Sequence, residues 1–310
     1  MSRPREIRPP EPGGEPAIAA VMDEALATAE AAATRADIVL TEVHDHLGAT
    51  AAATLLDEVW SRTTGNVLSP EALIAIGHAG GQVTLATRDG ELVGVTAGLL
   101  GRDHDDGHAF VHSHVTGVAA AATGTGVGRA LKWHQRRWCL ARGITEVRWT
   151  YDPLVRRNAV LNLVHLGAQA IRYEQDVYGP MSDARNAGFP TDRLLVSWDL
   201  TSPRTRTAAS GRSAAPDVDA LRRAGAEPLL SAVDDRPTRH DTDAPRRLVQ
   251  VPADIESLRR EDPDLALAWA AALRSTLGHA LGLGLRVSGF SREGWYVLAA
   301  DRAVDELAQR

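Results

Sequence analysis

One stretch constrains this chain more than any other: a β-branched segment that runs into a glycine-rich loop and then into a helix pattern, AFVHSHVTGVAAAATGTGVGRALKWHQRRWCLAR over residues 109–142. Val111, Ser113, Val115 and Gly117 alternate with His112, His114, Thr116 and Val118, the period-2 signature of a strand. Gly124, Gly126 and Gly128 follow at every second position. Glycine lets a backbone come close to a ligand, and the first turn of a helix leaves N–H groups without intrahelical partners. Strand, loop and helix together therefore predict a pyrophosphate cradle.

The spacing fits neither the dinucleotide fingerprint G-x-G-x-x-G nor the P-loop G-x-x-x-x-G-K-[ST], and no Lys follows the glycines, which disfavours a nucleotide-binding module. With 310 residues, 44% of them hydrophobic, the chain can bury one sizeable core and a second small one. A net charge of −6 argues against a nucleic-acid partner. Cys139, the single cysteine, sits in the helix pattern and reads as a core thiol. No window of eighteen apolar residues occurs, and the N-terminal residues carry no apolar leader. No membrane partner is expected, and the location expected is the cytoplasm.

In chain order, residues 1–16 are rich in Pro, Glu, Arg and Gly and read as a flexible tail. Residues 17–36 are Ala-rich and strongly helical by propensity, but poor in large apolar side chains. They would either pack at a domain edge or stay partly solvated. Residues 38–40 read as a strand, and 47–60 as a helix burying Leu55, Leu56, Val59 and Trp60. Ser69 and Pro70 open a second helix. Strands at 82–86 and 92–99 flank an Asp89-Gly90 turn. His104, His108, Asp103 and Asp105 lack ligand spacing on a rigid element, so a solvated loop is expected there and no metal. After the glycine-loop helix come a strand at 146–151, a helix at 154–166 ended by Gly167, and strands at 170–173 and 194–200. Beyond residue 200, polar stretches at 201–212 and 234–244 separate apolar runs at 228–233 and 248–251, a helix at 264–281 and strands at 285–290 and 295–298. This last part has core residues of its own, Leu265, Leu267, Trp269, Leu273, Leu277 and Trp295.

The run Thr123-Gly124-Thr125-Gly126-Val127-Gly128-Arg129 resembles the acyl-CoA loop of the GNAT acyltransferase superfamily, Q/R-x-x-G-x-G/A, with Thr123 where that family has Gln or Arg. Asn158-Ala159 through Leu166-Gly167-Ala168 resembles the family's second helix signature, N-x-x-A-x-x-L-Y-x-x-x-G-F, on whose alignment Arg156 stands at the asparagine and Leu163 at the tyrosine that often protonates the departing CoA thiolate. The fuller string WTYDPLVRRNAVLNLVHLGA resembles a group of predicted bacterial GNAT proteins. Some of these lie beside racemases of N-acylamino acids and N-succinylate amino acids. The resemblance covers roughly residues 38–200. It implies an α/β class with an α+β mixed sheet: residues 1–36 as tail and helix, 37–200 as a GNAT-like acyltransferase domain, and 201–310 as linker and a small C-terminal α/β extension, which either extends the sheet or covers the acceptor side of the cleft.

The resemblance also implies a site. Acyl-CoA, either acetyl-CoA or succinyl-CoA, would lie against Thr116, Val118, Thr123, Gly124, Gly126, Val127, Gly128, Arg129 and Asn158, with the central strand splayed from its neighbour so that backbone N–H groups near Thr116 and Val118 hold the thioester. His112 stands where histone-type members carry a catalytic glutamate, and an imidazole with a pKa of about 6.5 suits a general base. His114, two residues on, would share its face. Tyr178 is the residue expected to protonate the thiolate, with Tyr151 and Tyr173 as further candidates for the acid or for substrate contacts. Arg156 and Arg157 would bind a carboxylate if they face the cleft and otherwise form a solvated helix start, Asp152 would cap the following helix, and Lys132, Arg136 and Arg137 would be solvated on the outer face of the long helix. The implied reaction is direct attack of a small-molecule amine, such as an amino acid, on the thioester. The rival is a non-catalytic acyl-CoA-binding protein. An exposed apolar patch on the C-terminal part would point to a homodimer.

Overall fold

In the computed structural model of the chain, residues 15–61, 67–181 and 187–300 are described, so most of the expected N-terminal tail lies outside them. The chain is mixed α/β, as expected. Helix α1 (Glu15–Ala36) precedes strand β1 (Val39–Glu42), helices α2 (His46–Trp60) and α3 (Pro70–His78), and strands β2 (Gln82–Arg88), β3 (Glu91–Arg102) and β4 (Ala109–Val118). The glycine loop leads into α4 (Val127–Leu140), followed by β5 (Glu146–Tyr151), α5 (Arg156–Ala159) with a π-helical turn at Val160–His165, β6 (Gln169–Glu174) and β7 (Arg193–Asp199). The seven strands form one sheet in the order β1-β2-β3-β4-β5-β7-β6. Its neighbours are antiparallel except β4 and β5. This is the order of elements that the acyltransferase resemblance implies.

Local chemistry explains the boundaries. The side chains of Asp45 and Ser69 accept from backbone N–H groups at the starts of α2 and α3, and Pro70 takes the first turn of α3. Asp89 and Gly90 both have positive φ, 51° and 82°, which a tight hairpin turn requires. Helices α2 and α3 cover one face of the sheet through Leu55, Leu56, Leu73, Ile76, Val95 and Val115.

Helix α4 covers the other face, and α1 lies across it. Ala25, Ala29, Ala32 and Ala36 are all buried. Small side chains on one stripe let two helices approach closely, so a helix poor in large apolar residues is a packed element here rather than a frayed one. The same contact corrects the reading of α4. Lys132 and Arg136 are buried, and of that set Arg137 alone is exposed. Arg136 is held by Glu24 of α1 at 2.8 Å and donates its Nε to the carbonyl of Leu200 at 2.8 Å, so its charge is compensated where it is buried.

The C-terminal part builds a sheet of its own. Helices α6 (Pro203–Ala209) and α7 (Val218–Arg223) precede β8 (Glu227–Val233), β9 (Arg236–Arg239) and β10 (Arg246–Gln250). Then come α8 (Ile255–Glu261), α9 (Pro263–Leu273), a π-helical turn at Arg274–Gly278, α10 (His279–Gly282), β11 (Arg286–Phe290) and β12 (Trp295–Ala299). The strand order is β11-β12-β10-β8-β9. Helix α6 and strand β9 fall in stretches expected to be linker and polar loop; Ser202 caps α6 ahead of Pro203 just as Ser69 caps α3. The two parts share one core, in which Trp198, Leu166 and Leu194 join Trp269, Phe290 and Leu298. Among the described residues no helix is long and apolar enough to cross a membrane.

Candidate functional site

Strands β4 and β5 pair at two positions only, Val111 with Val147 and His112 with Arg148. Beyond these the strands part: β4 runs on to Val118 and β5 to Tyr151 with no ladder between them. Backbone groups along an unpaired strand edge need partners, and an extended ligand laid in the fork can supply them.

β4 also carries a bulge. Ser113 pairs with Gly98 and Val115 with Ala97, leaving His114 without an opposite residue. Before the bulge Ser113 faces α4. After it Val115 packs with the α2 cluster, a Cβ on Gly117 would lie 3.1 Å from Trp60 of α2, and Thr116 Oγ1 meets Thr96 Oγ1 at 2.8 Å. The simple alternation expected over 111–118 therefore breaks at His114. The two histidines remain neighbours, with ring centroids 6.0 Å apart. Burial is the main cause that lowers the pKa of His112, helped by His114 and Lys132 and opposed by Glu174. The depressed pKa leaves the ring neutral at pH 7 and able to accept a proton. The His114 side chain is exposed at the fork, yet the protein around it also lowers its pKa by desolvation.

The glycine loop stands at the open end of β4. Gly124 and Gly126 have φ of 81° and 93°, backbone that L side chains rarely adopt. Gly126 is the N-cap of α4 and offers no side-chain cap, so the first-turn N–H groups point away from the helix uncapped. Val127 is buried under the loop, while Gly128 and Arg129 are half-buried. Thr123 turns its hydroxyl back onto Ala119 O at 3.3 Å. A cation not singled out from the sequence stands beside the loop: Arg88 Nη2 donates to Ala36 O at 2.6 Å and to Thr125 Oγ1 at 3.1 Å. Only the tertiary fold brings the end of β2 there.

Tyr178 lies exposed in the β6–β7 connection, with its hydroxyl 3.0 Å from Thr150 Oγ1. Thr150 points away from α4, so Tyr178 shares the face of His112. Asn158 is half-buried on α5, and Leu163 is in the core. The other candidates are engaged elsewhere. The Tyr151 hydroxyl is buried against Tyr296 at 3.2 Å, and Tyr173 donates to Asp192 at 2.7 Å. Arg157 pairs with Glu256, and Arg156 donates to Val251 O at 3.3 Å, so both reach the C-terminal part and not the fork. Asp152 does not cap α5, whose N-cap is Val155 with no side-chain bond; it accepts from Leu154 N at 2.9 Å in the turn before the helix and pairs with Arg259 at 2.7 Å.

Ligand atoms of Asp103, Asp106 and His108 come within 4.8 Å of one another. All are already bonded: Asp103 to Arg148 at 2.6 Å, Asp106 to His108 Nδ1 at 2.6 Å, and His108 Nε2 to Glu146 at 2.5 Å. With the Arg148 guanidinium in its midst, this group is an ion-pair network. It raises the pKa of His108 mainly through Glu146. Cys139 is a buried core thiol, as expected, and burial pushes its pKa up to about 12.

Two residues at the root of the fork were not read from the sequence as site residues. Lys132 Nζ donates to Ser113 Oγ at 2.6 Å and lies 4.2 Å from the ring centroid of Trp149. Ser113 and Trp149 each follow the last paired residue of their strand.

No family model matches the chain, and no curated protein matches it. Its fold is similar to that of several solved structures. The acetyltransferase of GNAT family from Streptococcus pneumoniae is 14% identical, covering 52% of this chain and 98% of that chain, with a TM-score of 0.41. The ribosomal-protein-S18-alanine N-acetyltransferase from Escherichia coli is 13% identical, covering 53% of this chain and 95% of that chain, with a TM-score of 0.43. A GNAT family acetyltransferase from Elizabethkingia anophelis, solved with acetyl-CoA bound, is 14% identical, covering 53% of this chain and 98% of that chain, with a TM-score of 0.36.

Proposed function

We propose that this protein is an acyl-CoA-dependent N-acyltransferase of the GNAT type. The observation that carries the reading is the fork itself: two parallel strands that part after His112 and Arg148, with an uncapped helix N-terminus at the open end. The pyrophosphate of CoA would sit on the first turn of α4 at Gly126, Val127, Gly128 and Arg129, with Gly124 and Thr123 in the loop and Arg88 as an added cation. The pantetheine arm would then run into the fork along Thr116 and Val118, and Asn158 would flank it from α5. Holding the thioester between two prongs, next to a bound amine, supplies proximity.

His112 would accept the proton of the attacking amine, since its depressed pKa keeps the ring neutral. His114, beside it, would bind or relay. Tyr178, on the same face, would contact the acceptor. The acyl group is acetyl or succinyl, and the acceptor a small-molecule amine such as an amino acid. Leu267, expected in the core, is instead exposed on α9, and with Leu283 just past the end of α10 it would serve a homodimer contact.

An acyl-transfer assay with acetyl-CoA and succinyl-CoA over a panel of amines tests the reading, with CoA release as readout. Turnover that is lost in His112→Ala while CoA affinity is kept supports an enzyme. CoA binding without turnover on any amine would leave the rival, a non-catalytic acyl-CoA-binding protein.

A further inference from the structure

Of the 34 Lys and Arg residues in the chain, one is a lysine. That lysine, Lys132, is buried at the root of the fork. Its Nζ touches Ser113 Oγ on one prong (2.6 Å), lies over the Trp149 ring on the other (4.2 Å), and reaches Gln135 Oε1 at 3.3 Å. Gln135 in turn donates to Gln82 at 3.0 Å, and Gln82 donates to Thr84 at 3.1 Å, so the chain of polar groups behind Lys132 is neutral. Glu24, the acid that α1 brings over α4, pairs with Arg136 instead. The titratable groups near Lys132 are Cys139 of α4, whose thiol stays protonated, and, across the sheet, His112 of β4, whose pKa is depressed. A buried amine without a counter-ion loses its proton readily, and burial pulls Lys132 down to about 7. Arginine could not do this, because its guanidinium does not deprotonate in proteins.

We propose that Ser113 and Lys132 together supply the proton to the departing CoA thiolate, Ser113 Oγ giving it and Lys132 Nζ replacing it. The inference rests on the acyl-transfer reading above. As the amine attacks the thioester carbonyl carbon, the C–N bond forms and the C–S bond breaks, with its electron pair leaving on sulfur. The ammonium proton goes to His112 on one face of the sheet. On the α4 face, sulfur takes the Ser113 hydroxyl proton while Lys132 passes one of its own to Ser113. After product leaves, solvent reprotonates Lys132 and deprotonates His112, so each turnover converts amine and thioester to amide and thiol with no net change in the protein. An unperturbed thiol has a pKa of about 8.5, so transfer from Lys132 to the thiolate runs downhill. The arrangement provides an acid in a chain where Leu163 fills the position of the resembled tyrosine.

The test is the pH profile of kcat and the dependence on leaving group, measured for the wild type, Lys132→Met and Ser113→Ala, with CoA affinity and Tm as controls. The wild type should show an alkaline limb near the Lys132 pKa. Both variants should bind CoA as the wild type does and lose about 10²–10⁴ in kcat with acyl-CoA. Lys132→Met should also lose the alkaline limb. With an S-aryl thioester donor, whose thiolate leaves without a proton, the variants should match the wild type. If Lys132→Met does not fold, Ser113→Ala and the wild-type profile decide. Wild-type kcat in Ser113→Ala, a wild type with no alkaline limb, or an acyl group trapped covalently on Ser113 would each overturn the inference. A wild type that transfers from no acyl-CoA would remove the acyl-transfer reading and this inference together, whereas a working wild type with unaffected variants would remove the inference alone.

Discussion

His112 and Arg148 are the last partners in the β4–β5 ladder, and the fork opens at the residues that follow them. The imidazole therefore sits where the sheet ceases to be continuous, half-buried and with a lowered pKa. His112→Ala is expected to reduce kcat by about 10²–10⁴ and to leave CoA affinity in place. Activity needs the neutral ring, so the acid limb of kcat/KM should fall below the imidazole value of about 6.5. An acid limb above that value, or full activity in the variant, would remove His112 as the base.

Gly126 and Gly128 should respond in opposite ways. Gly126 holds φ at 93°, and an Ala there should cost about 1–2 kcal/mol, read as a lower midpoint in urea. At Gly128 a Cβ would lie 3.6 Å from Val118, an ordinary contact in a helical turn. Gly128→Ala should keep or raise stability by about 0.5 kcal/mol while weakening CoA binding, because the methyl group stands where the pyrophosphate would approach. Unchanged CoA affinity in Gly128→Ala would place the phosphates elsewhere.

Glu24 and Arg136 join α1 to α4 across a buried guanidinium. Removing one partner of such a pair leaves the other uncompensated, so Glu24→Ala should destabilise the fold by about 3 kcal/mol in equilibrium denaturation. A change within about 0.5 kcal/mol, typical of a surface substitution, would mean that α1 is not docked as described.

His134 is buried on α4 with its Nε2 unbonded, and burial lowers its pKa to about 4. Because the unfolded chain takes up this proton nearer 6.5, acid favours unfolding: stability is intact above about 6.5 and falls as pH drops toward 4, by about 3 kcal/mol from this group. His134→Gln should flatten that part of the stability curve, and an unchanged slope between pH 6.5 and 4 would count against the burial of His134.

Much of the fold was legible because its signals are local. Ser69-Pro70, Asp89-Gly90 and the strand Glu146–Tyr151 sit where propensity and turn chemistry put them. The fork and the glycine loop were accessible through family resemblance, since neither periodicity nor composition reports that two strands part. What failed depends on which elements cover one another. Lys132 and Arg136 look like a solvated stripe until the alanines of α1 lie over them. The bulge at His114 is set by pairing with Ala97 and Gly98 on β3, contacts no single segment encodes. Whether Arg156 and Arg157 face the cleft could not be read locally, because the C-terminal part, which draws both of them away, had no predicted position.

Every proposed step depends on acyl-CoA binding in the fork and glycine loop. Thermal unfolding alone and with CoA, acetyl-CoA, succinyl-CoA, NAD or ATP tests it most directly. A ligand at about 100 times its Kd stabilises the native state by about 2.7 kcal/mol, a clear rise in Tm. A rise is expected with CoA species and none with NAD or ATP, the largest rise naming the acyl group. No rise with any CoA species, or an equal one with ATP, would contradict it.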